Sequence, residues 1–424
     1  MTGSDANPCW GSTRAWPGWR TPWPAASSEG SGGFNPGWTT SRAATCPSRR
    51  ISCTTSTDLT SSEPPCCGNS RLGSATSPAV EHPRDQLQRP LGVLRLSLTA
   101  RCNLACPYCL PDGQEPADLL SLPQRLQVVA AAVELGVRSL RLTGGEPLLH
   151  PELEALVKAV QPLRKRGLRE VALTSNGTLL TATRARALRQ AGLDRITLSL
   201  DGADGPSVAR MAGLADANAG ERALASVLAA IDHASEAGFD PAAGELKLNA
   251  VIQRGLNDDQ LLPLAELTRE RGLELRLIEY MDVGNRNGWR PEAVVPAAEL
   301  LQRIGDRWPL QPLGRATGGT ARRWRYGDGG GLLAMVASVS EPFCGDCNRL
   351  RVTADGIAYT CLFAHPGSGI DLKPWLAAAG TQTHLTQGLA ALWQRRHDRY
   401  SEDRSQAQLE RERPSHAEMA YLGG

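Results

Sequence analysis

The sequence predicts an α/β fold, a partial (β/α)6 barrel followed by an α+β extension. Three observations lead there. Between about residues 92 and 280, six short strand-like runs alternate with helix-like runs, the pattern of a parallel sheet built from βα repeats. Apolar and polar residues alternate along these runs, whereas parallel strands covered on both faces are usually apolar throughout. Beyond about residue 290 the repeat stops and gives way to turns and short strands. One face of each strand is therefore expected beneath helices and the other around a polar lumen. That fits a curved six-stranded partial barrel of TIM type better than a filled eight-stranded one.

Each element follows from its residues. "VLRLSLT" (93–99) is the first strand. "SLPQRLQVVAAAVELG" (121–136) reads as a helix, with Ser121 as N-cap and Gln124 completing a capping box. "SLRLT" (139–143) precedes a helix near 151–166, and "EVALTSN" (170–176) one at 181–191. "RITLSLD" (195–201) precedes a helix near 221–237, with "RMAGLADANAG" (210–220) expected as a long loop remote from the cysteine clusters. "ELKLNAV" (245–251), a helix at 258–271 and "ELRLIEY" (274–280) complete the repeat. The apolar face carries residues such as Leu94, Leu96, Leu140, Leu173, Ile196, Leu248 and Leu275. The lumen face carries Arg95, Ser97, Arg141, Thr143, Thr174, Thr197, Ser199, Asp201, Lys247, Asn249, Glu274 and Arg276.

The chain has 424 residues and a formal net charge of +2, so bulk electrostatics point neither to nucleic acid nor to a membrane surface. The sequence shows no run of about 18 apolar residues and no apolar core of a secretory signal. Residues 1–88 form a Ser-, Pro-, Gly- and Arg-rich leader without periodicity. It is expected as a disordered tail, as spurious upstream translation, or as a transit peptide. Residues 89–290 are the barrel, and 291–424 a C-terminal domain ending in Gly423 and Gly424.

Of the 11 cysteines, those in the leader are treated as incidental. The other six form two triplets, Cys102–Cys106–Cys109 and Cys344–Cys347–Cys361. Triplets do not pair off into disulfides, so metal ligation in a reducing compartment is favoured. Zinc usually takes four protein ligands; thiolates serve iron–sulfur clusters equally well. The first triplet follows the first strand, at the barrel mouth where such folds place active sites. For the second, a zinc ribbon with His365 as fourth ligand stays open. Arg349 and Arg351 alternate around Leu350 and share one face. In the lumen, Glu274 can pair with Arg276 and Asp201 with a neighbour, leaving excess positive charge from Arg95, Arg141 and Lys247. Buried unpaired charge is costly, and arginine forks suit phosphate oxygens.

The first triplet, with Tyr108 before its last cysteine, resembles the signature of the radical S-adenosylmethionine superfamily. "LRLSLTARCNLACPYC", "RLTGGEP", "ALTSNG", "FCGDCNRLRVT" and the terminal "YLGG" together closely resemble the GTP 3′,8-cyclase family of molybdenum cofactor biosynthesis, over about residues 92–363. The resemblance implies two [4Fe–4S] clusters and S-adenosyl-L-methionine. Cys102, Cys106 and Cys109 would hold the cluster whose open iron takes S-adenosylmethionine, a source of the 5′-deoxyadenosyl radical. Tyr108, Gly144, Gly145, Ser199 and Met281 would contact that cofactor. Cys344, Cys347 and Cys361 would hold the cluster that binds guanine.

By the same resemblance, Arg95, Arg141, Thr174, Lys247, Arg349, Leu350 (through its backbone) and Arg351 would contact GTP. The Gly423–Gly424 tail would reach back toward the site. No acid–base pair is demanded. A flavodoxin- or ferredoxin-type electron donor, transfer of the product to cyclic pyranopterin monophosphate synthase, and a cytoplasmic location are expected; a homodimer is left open. Two other readings stand beside this one, a peptide-modifying radical enzyme with an auxiliary cluster and a non-catalytic zinc-binding protein.

Overall fold

The leucines of the alternating runs build the barrel wall. Leu94, Leu96, Leu140, Leu142, Leu173, Ile196, Leu198, Leu246, Leu248 and Leu275 are fully buried, each contributing about 1.5–3 kcal/mol by leaving water. The computed structural model describes residues 82–111, 114–376, 381–404 and 415–424. The leader up to residue 81, with its cysteines, and the polar stretch 405–414 lie outside the described residues.

Six parallel strands stand in sequence order: β1 (Val93–Ser97), β2 (Ser139–Thr143), β3 (Glu170–Ser175), β4 (Arg195–Ser199), β5 (Leu246–Ile252) and β6 (Glu274–Glu279). Helices α1 (Leu122–Glu134), α2 (Leu153–Ala159), α3 (Ala182–Ala191), α4 (Gly205–Ala212), α5 (Ala217–Glu236) and α6 (Leu261–Glu270) connect them. The capping box closes at α1, where the Ser121 N–H donates to Gln124 Oε1 at 2.9 Å.

The expected loop at 210–220 is a correction. All but the four-residue turn 213–216 belongs to α4 and α5, capped by Asp204 and Asp216, which accept from Ser207 and Ala219 N–H at 2.7 Å each. Nor is the segment remote from the cysteines. The Ala105 N–H donates to Ala212 O at 3.0 Å, and a Cβ on Gly213 would lie 2.1 Å from Ala105 O.

The barrel is open, and the extension continues its sheet at both edges. It comprises α7 (Ala297–Gly305), β7 (Leu310–Arg315), β8 (Arg322–Tyr326), β9 (Leu332–Val336), β10 (Arg349–Val352), β11 (Ile357–Tyr359) and β12 (Ile370–Asp371). Then follow α8 (Lys373–Leu376), α9 (Thr381–Gln394), α10 (Tyr400–Asp403) and α11 (Met419–Leu422). Strand β9 adds in parallel to β6, and β10 in parallel to β1. The order across the sheet is β12-β11-β10-β1-β2-β3-β4-β5-β6-β9-β8-β7.

Residues 82–88, which the sequence assigned to the leader, are ordered. Asp85 is buried and pairs with Arg89 at 2.5 Å. Arg89 also donates to the carbonyl of Cys344 at 2.8 Å, so this arm touches the second triplet.

Candidate active site

A cavity of about 300 Å³ occupies the lumen, and both cysteine triplets open into it. All six cysteines are free. The first triplet sits on the loop after β1, which is tied to the turns after β2 and β3. The Gly145 N–H donates to Thr99 O and the Glu146 N–H to Arg101 O, both at 2.8 Å. Asn176, beyond β3, donates to Asn103 Oδ1 at 2.8 Å and approaches Cys102 Sγ at 3.8 Å. Glycine is required at the turn after β2. Gly144 has φ +154°, and a Cβ on Gly145 would meet Arg101 O at 2.1 Å.

Tyr108, Ser199 and Met281 also line the cavity. The Tyr108 hydroxyl donates to Asp201 Oδ2 at 2.7 Å, and Asp201 Oδ1 accepts from the Val251 N–H at 2.7 Å. Burial pushes the Asp201 carboxyl up to about 6 against these two donors.

The second triplet lies on the 3-10 turn Cys344–Asp346 before β10 and on the turn after β11. His365, the candidate zinc ligand, is exposed and absent from the cavity wall. Its Nδ1 accepts from the Gly367 N–H at 3.1 Å.

Among the described residues, no three His, Cys, Asp or Glu side chains are grouped around a single-ion position, so the surroundings of the sulfurs decide what they suit. Burial pushes the Cys109 thiol up to about 12, reinforced by Cys102 and Glu418. Burial does the same to Cys361, reinforced by Asp398. Such thiols ionise readily only when a bound cation takes the proton's place. Cys347 differs. Burial disfavours its thiolate, but Arg349 and Arg396 outweigh that and bring it to about 6. N–H donors also reach the sulfurs, as at Cys361, which accepts from Phe363 N–H at 3.5 Å. Three free cysteines, one with its thiolate favoured by two arginines and one with an N–H donor on its sulfur, fit a cluster with one iron open to an exogenous ligand.

Between the triplets the lumen is cationic. Strand register places Arg351, Arg95, Arg141, Ala172 and Arg195 side by side across five strands. Arg95, Arg141, Arg349 and Arg351 line the cavity, with Thr174. Burial, then mutual repulsion, lowers Arg141 to about 9 and Arg351 to about 10. Arg141 Nε and Arg349 Nη1 are buried without a hydrogen-bond partner among the described residues.

The other half of the lumen pairs internally, as the sequence suggested. Glu274 accepts from Arg276 at 2.8 Å, Lys247 at 3.1 Å and Arg323 at 2.6 Å. Burial raises Glu274, but Arg276 and Lys247 outweigh it and hold the carboxyl at about 2. Two predicted contacts are not brought to the cavity wall. Lys247 is turned to Glu274, and Leu350 is fully buried on the opposite face of β10.

The tail enters the cavity. Arg95 donates to Gly423 O at 2.9 Å and Gly424 O at 2.8 Å, and Arg351 to Gly423 O at 3.3 Å.

The sequence reading missed Arg195, Asn176 and Arg396. Arg195 was legible, two residues before Thr197 on the lumen face. Asn176 closes a strand already quoted. Arg396 has no local signal; it reaches the second triplet only through tertiary packing, from beyond α9.

Two family models cover the chain. One for the Radical SAM superfamily matches residues 96–268, and one for Molybdenum Cofactor Synthesis C matches 273–402. The chain is 62% identical over 347 residues to a GTP 3′,8-cyclase of Synechococcus sp. (strain CC9605), covering 80% of this chain and 98% of the relative. It is 48% identical over 351 residues to a GTP 3′,8-cyclase of Xanthomonas campestris pv. campestris (strain B100), covering 80% and 97%. Among solved structures, Streptococcus suis SuiB bound to S-adenosylmethionine matches with TM-score 0.51 at 14% identity, over 72% of this chain and 68% of that one. This last likeness speaks to the fold alone.

Proposed function

The chain belongs to the GTP 3′,8-cyclase family of radical S-adenosylmethionine enzymes, and we propose that it converts GTP into (8S)-3′,8-cyclo-7,8-dihydroguanosine 5′-triphosphate. This is the first step of molybdenum cofactor biosynthesis. A [4Fe–4S] cluster and S-adenosylmethionine go with the family. When bound, they would supply a radical able to take the hydrogen atom from C3′ of the substrate; closing the C3′–C8 bond leaves an unpaired electron on the guanine ring, which one further electron and a proton would quench.

The protein's part is binding and orientation. Cys102, Cys106 and Cys109 would hold the first cluster. Tyr108, fixed by Asp201, would pack beside S-adenosylmethionine with Gly144, Gly145, Ser199 and Met281. Cys344, Cys347 and Cys361 would hold a second [4Fe–4S] cluster, its open iron directed at the guanine. Arg95, Arg141, Arg349 and Arg351 would take the triphosphate, with Thr174 beside them. Lys247 would add charge from behind Glu274, and Leu350 only its backbone. The observation that carries this reading is the rung Arg351–Arg95–Arg141 between the triplets. The orphaned donors at Arg141, in the rung, and at Arg349, two residues before Arg351 on β10, suit a polyanion and not a neutral peptide.

A flavodoxin- or ferredoxin-type protein would deliver two electrons, one to cleave S-adenosylmethionine and one to reduce the cyclised substrate radical, and cyclic pyranopterin monophosphate synthase would take the product. We place the reaction in the cytoplasm; no helix among the described residues is long and apolar enough to cross a membrane. A homodimer is compatible with this scheme. The test is anaerobic incubation of the reconstituted protein with GTP, S-adenosylmethionine and a reductant. The reading expects 5′-deoxyadenosine and the cyclised triphosphate together. 5′-Deoxyadenosine with intact GTP would refute it.

A further inference from the structure

The second triplet is clasped by two arginines that the proposed reaction does not use. Arg396 is buried, and its Nη2 donates to Cys347 Sγ at 3.0 Å, its Nη1 to Cys347 O at 2.6 Å. Its Nε is held by Asp398 at 2.9 Å, and its guanidinium lies 4.7 Å from the Trp393 ring centre. Asp85, from the arm preceding the barrel, stands 3.6 Å from Arg396 Nη1 and pairs with Arg89. Arg89 in turn donates to the carbonyls of Cys344 at 2.8 Å and Asp398 at 3.0 Å. The Trp393 indole N–H donates to Arg89 O at 3.0 Å, which locks the two arginines together.

Among the described residues, no arginine or lysine is hydrogen-bonded to a sulfur of the first triplet. Its side-chain donors are neutral, Asn176 at 3.8 Å from Cys102 Sγ and the Tyr108 hydroxyl toward Cys106. Hydrogen bonds to cluster sulfurs and nearby charge are the protein's main levers on cluster potential. A cationic donor fixed on one thiolate withdraws electron density from it. The buried Asp85 and the partly exposed Asp398 hold that donor in place and limit its net charge.

We propose that Arg396 is a positioning residue for the second cluster, raising its reduction potential through Cys347 Sγ, with Asp85 as the opposing counter-charge. This rests on the reading that Cys344, Cys347 and Cys361 hold an iron–sulfur cluster. It assigns a role to an arm that lies outside the barrel and to an arginine that shares the cavity wall with the proposed substrate cations but is bonded to a cysteine sulfur.

The test is an anaerobic redox titration followed by electron paramagnetic resonance. The full chain with Cys102, Cys106 and Cys109 replaced by Ala isolates the second cluster, and the converse triple replacement isolates the first. Arg396→Gln should lower the second midpoint by about 59 mV, a tenfold change in the reduced-to-oxidised ratio for one electron. Asp85→Asn should raise it. Neither should move the first midpoint. If Arg396→Gln leaves the second site empty while the first assembles, Arg396→Lys, which keeps the charge, must restore the cluster. Unchanged midpoints, shifts of one sign for both variants, equal effects on both clusters, or failure of Arg396→Lys would overturn the proposal. Zinc without iron or sulfide at the unsubstituted second triplet would instead overturn the reading beneath it.

Discussion

Arg95 Nε donates to the carbonyl of Gly423 at 2.9 Å, although 328 residues separate them in sequence. The tail is thus held by the same arginine rung proposed to take the triphosphate. Gly423 sits at φ +68°, and a Cβ there would meet Thr143 Cγ2 at 2.6 Å. A left-handed conformation costs a side chain roughly 1–2 kcal/mol. Gly423→Ala is expected to lower turnover of GTP about 5–30-fold while iron content stays unchanged. Paired turnover and iron assays check this; unchanged turnover would mean the seated tail has no part in the reaction.

Arg349 and Leu350 are neighbours with opposite duties. Arg349 faces the cavity with a buried, unpartnered Nη1. Leu350 is fully buried in the core. Arg349→Ala should weaken GTP binding by about 2–5 kcal/mol, the cost of truncating one partner of a buried charge contact. Leu350→Ala should cost about 2–5 kcal/mol of stability through its cavity. Calorimetric titration and thermal unfolding of both variants separate the effects, and exchanged phenotypes would contradict the assignment.

Burial depresses Lys247 to about 8, against the pull of Glu274. A triphosphate nearby would restore its pKa upward, so binding takes up a proton once the pH exceeds about 8. Affinity for GTP should be greatest below that pH and fall as pH rises through it, by at most about tenfold per unit. The unliganded protein behaves oppositely. The depressed lysine is a cost that is fully present below pH 8 and relieved as pH rises toward 10.5. Lys247→Met should flatten the affinity profile measured by equilibrium binding. A profile unchanged by the substitution would remove Lys247 from the substrate field.

Glu274 alone serves Arg276, Lys247 and Arg323. Glu274→Gln leaves two largely covered cations, Lys247 and Arg276, and the more exposed Arg323 short of a counter-charge. A loss of about 3–5 kcal/mol is expected in denaturant unfolding, partly recovered by saturating GTP. Recovery by guanosine as complete as by GTP would argue against triphosphate as the compensating anion.

Much of this site was legible because strand periodicity sorts residues without knowledge of the fold. The strand at 139–143 falls where "SLRLT" puts it, and Arg95 and Arg141 reach the lumen by the same alternation. Helix α4 and the first turn of α5 were missed as a loop although Asp204 and Asp216 carry ordinary N-cap signals; glycine and alanine between them hid the periodicity. The pairing of Lys247 with Glu274 was not legible from motif position, since strand register decides where a side chain turns. The addition of β10 to β1 was not legible, because no local pattern tells a strand which edge it will join. The clasp of Asp85 and Arg396 on Cys347 spans most of the chain and exists only in the folded state.

The most direct test of the account follows one hydrogen atom. GTP carrying deuterium at C3′ is incubated anaerobically with the reconstituted protein, S-adenosylmethionine and a reductant, and 5′-deoxyadenosine is analysed by mass spectrometry. The account predicts 5′-deoxyadenosine that carries the deuterium, formed together with the 3′,8-cyclised triphosphate. Unlabelled 5′-deoxyadenosine beside intact GTP would contradict it.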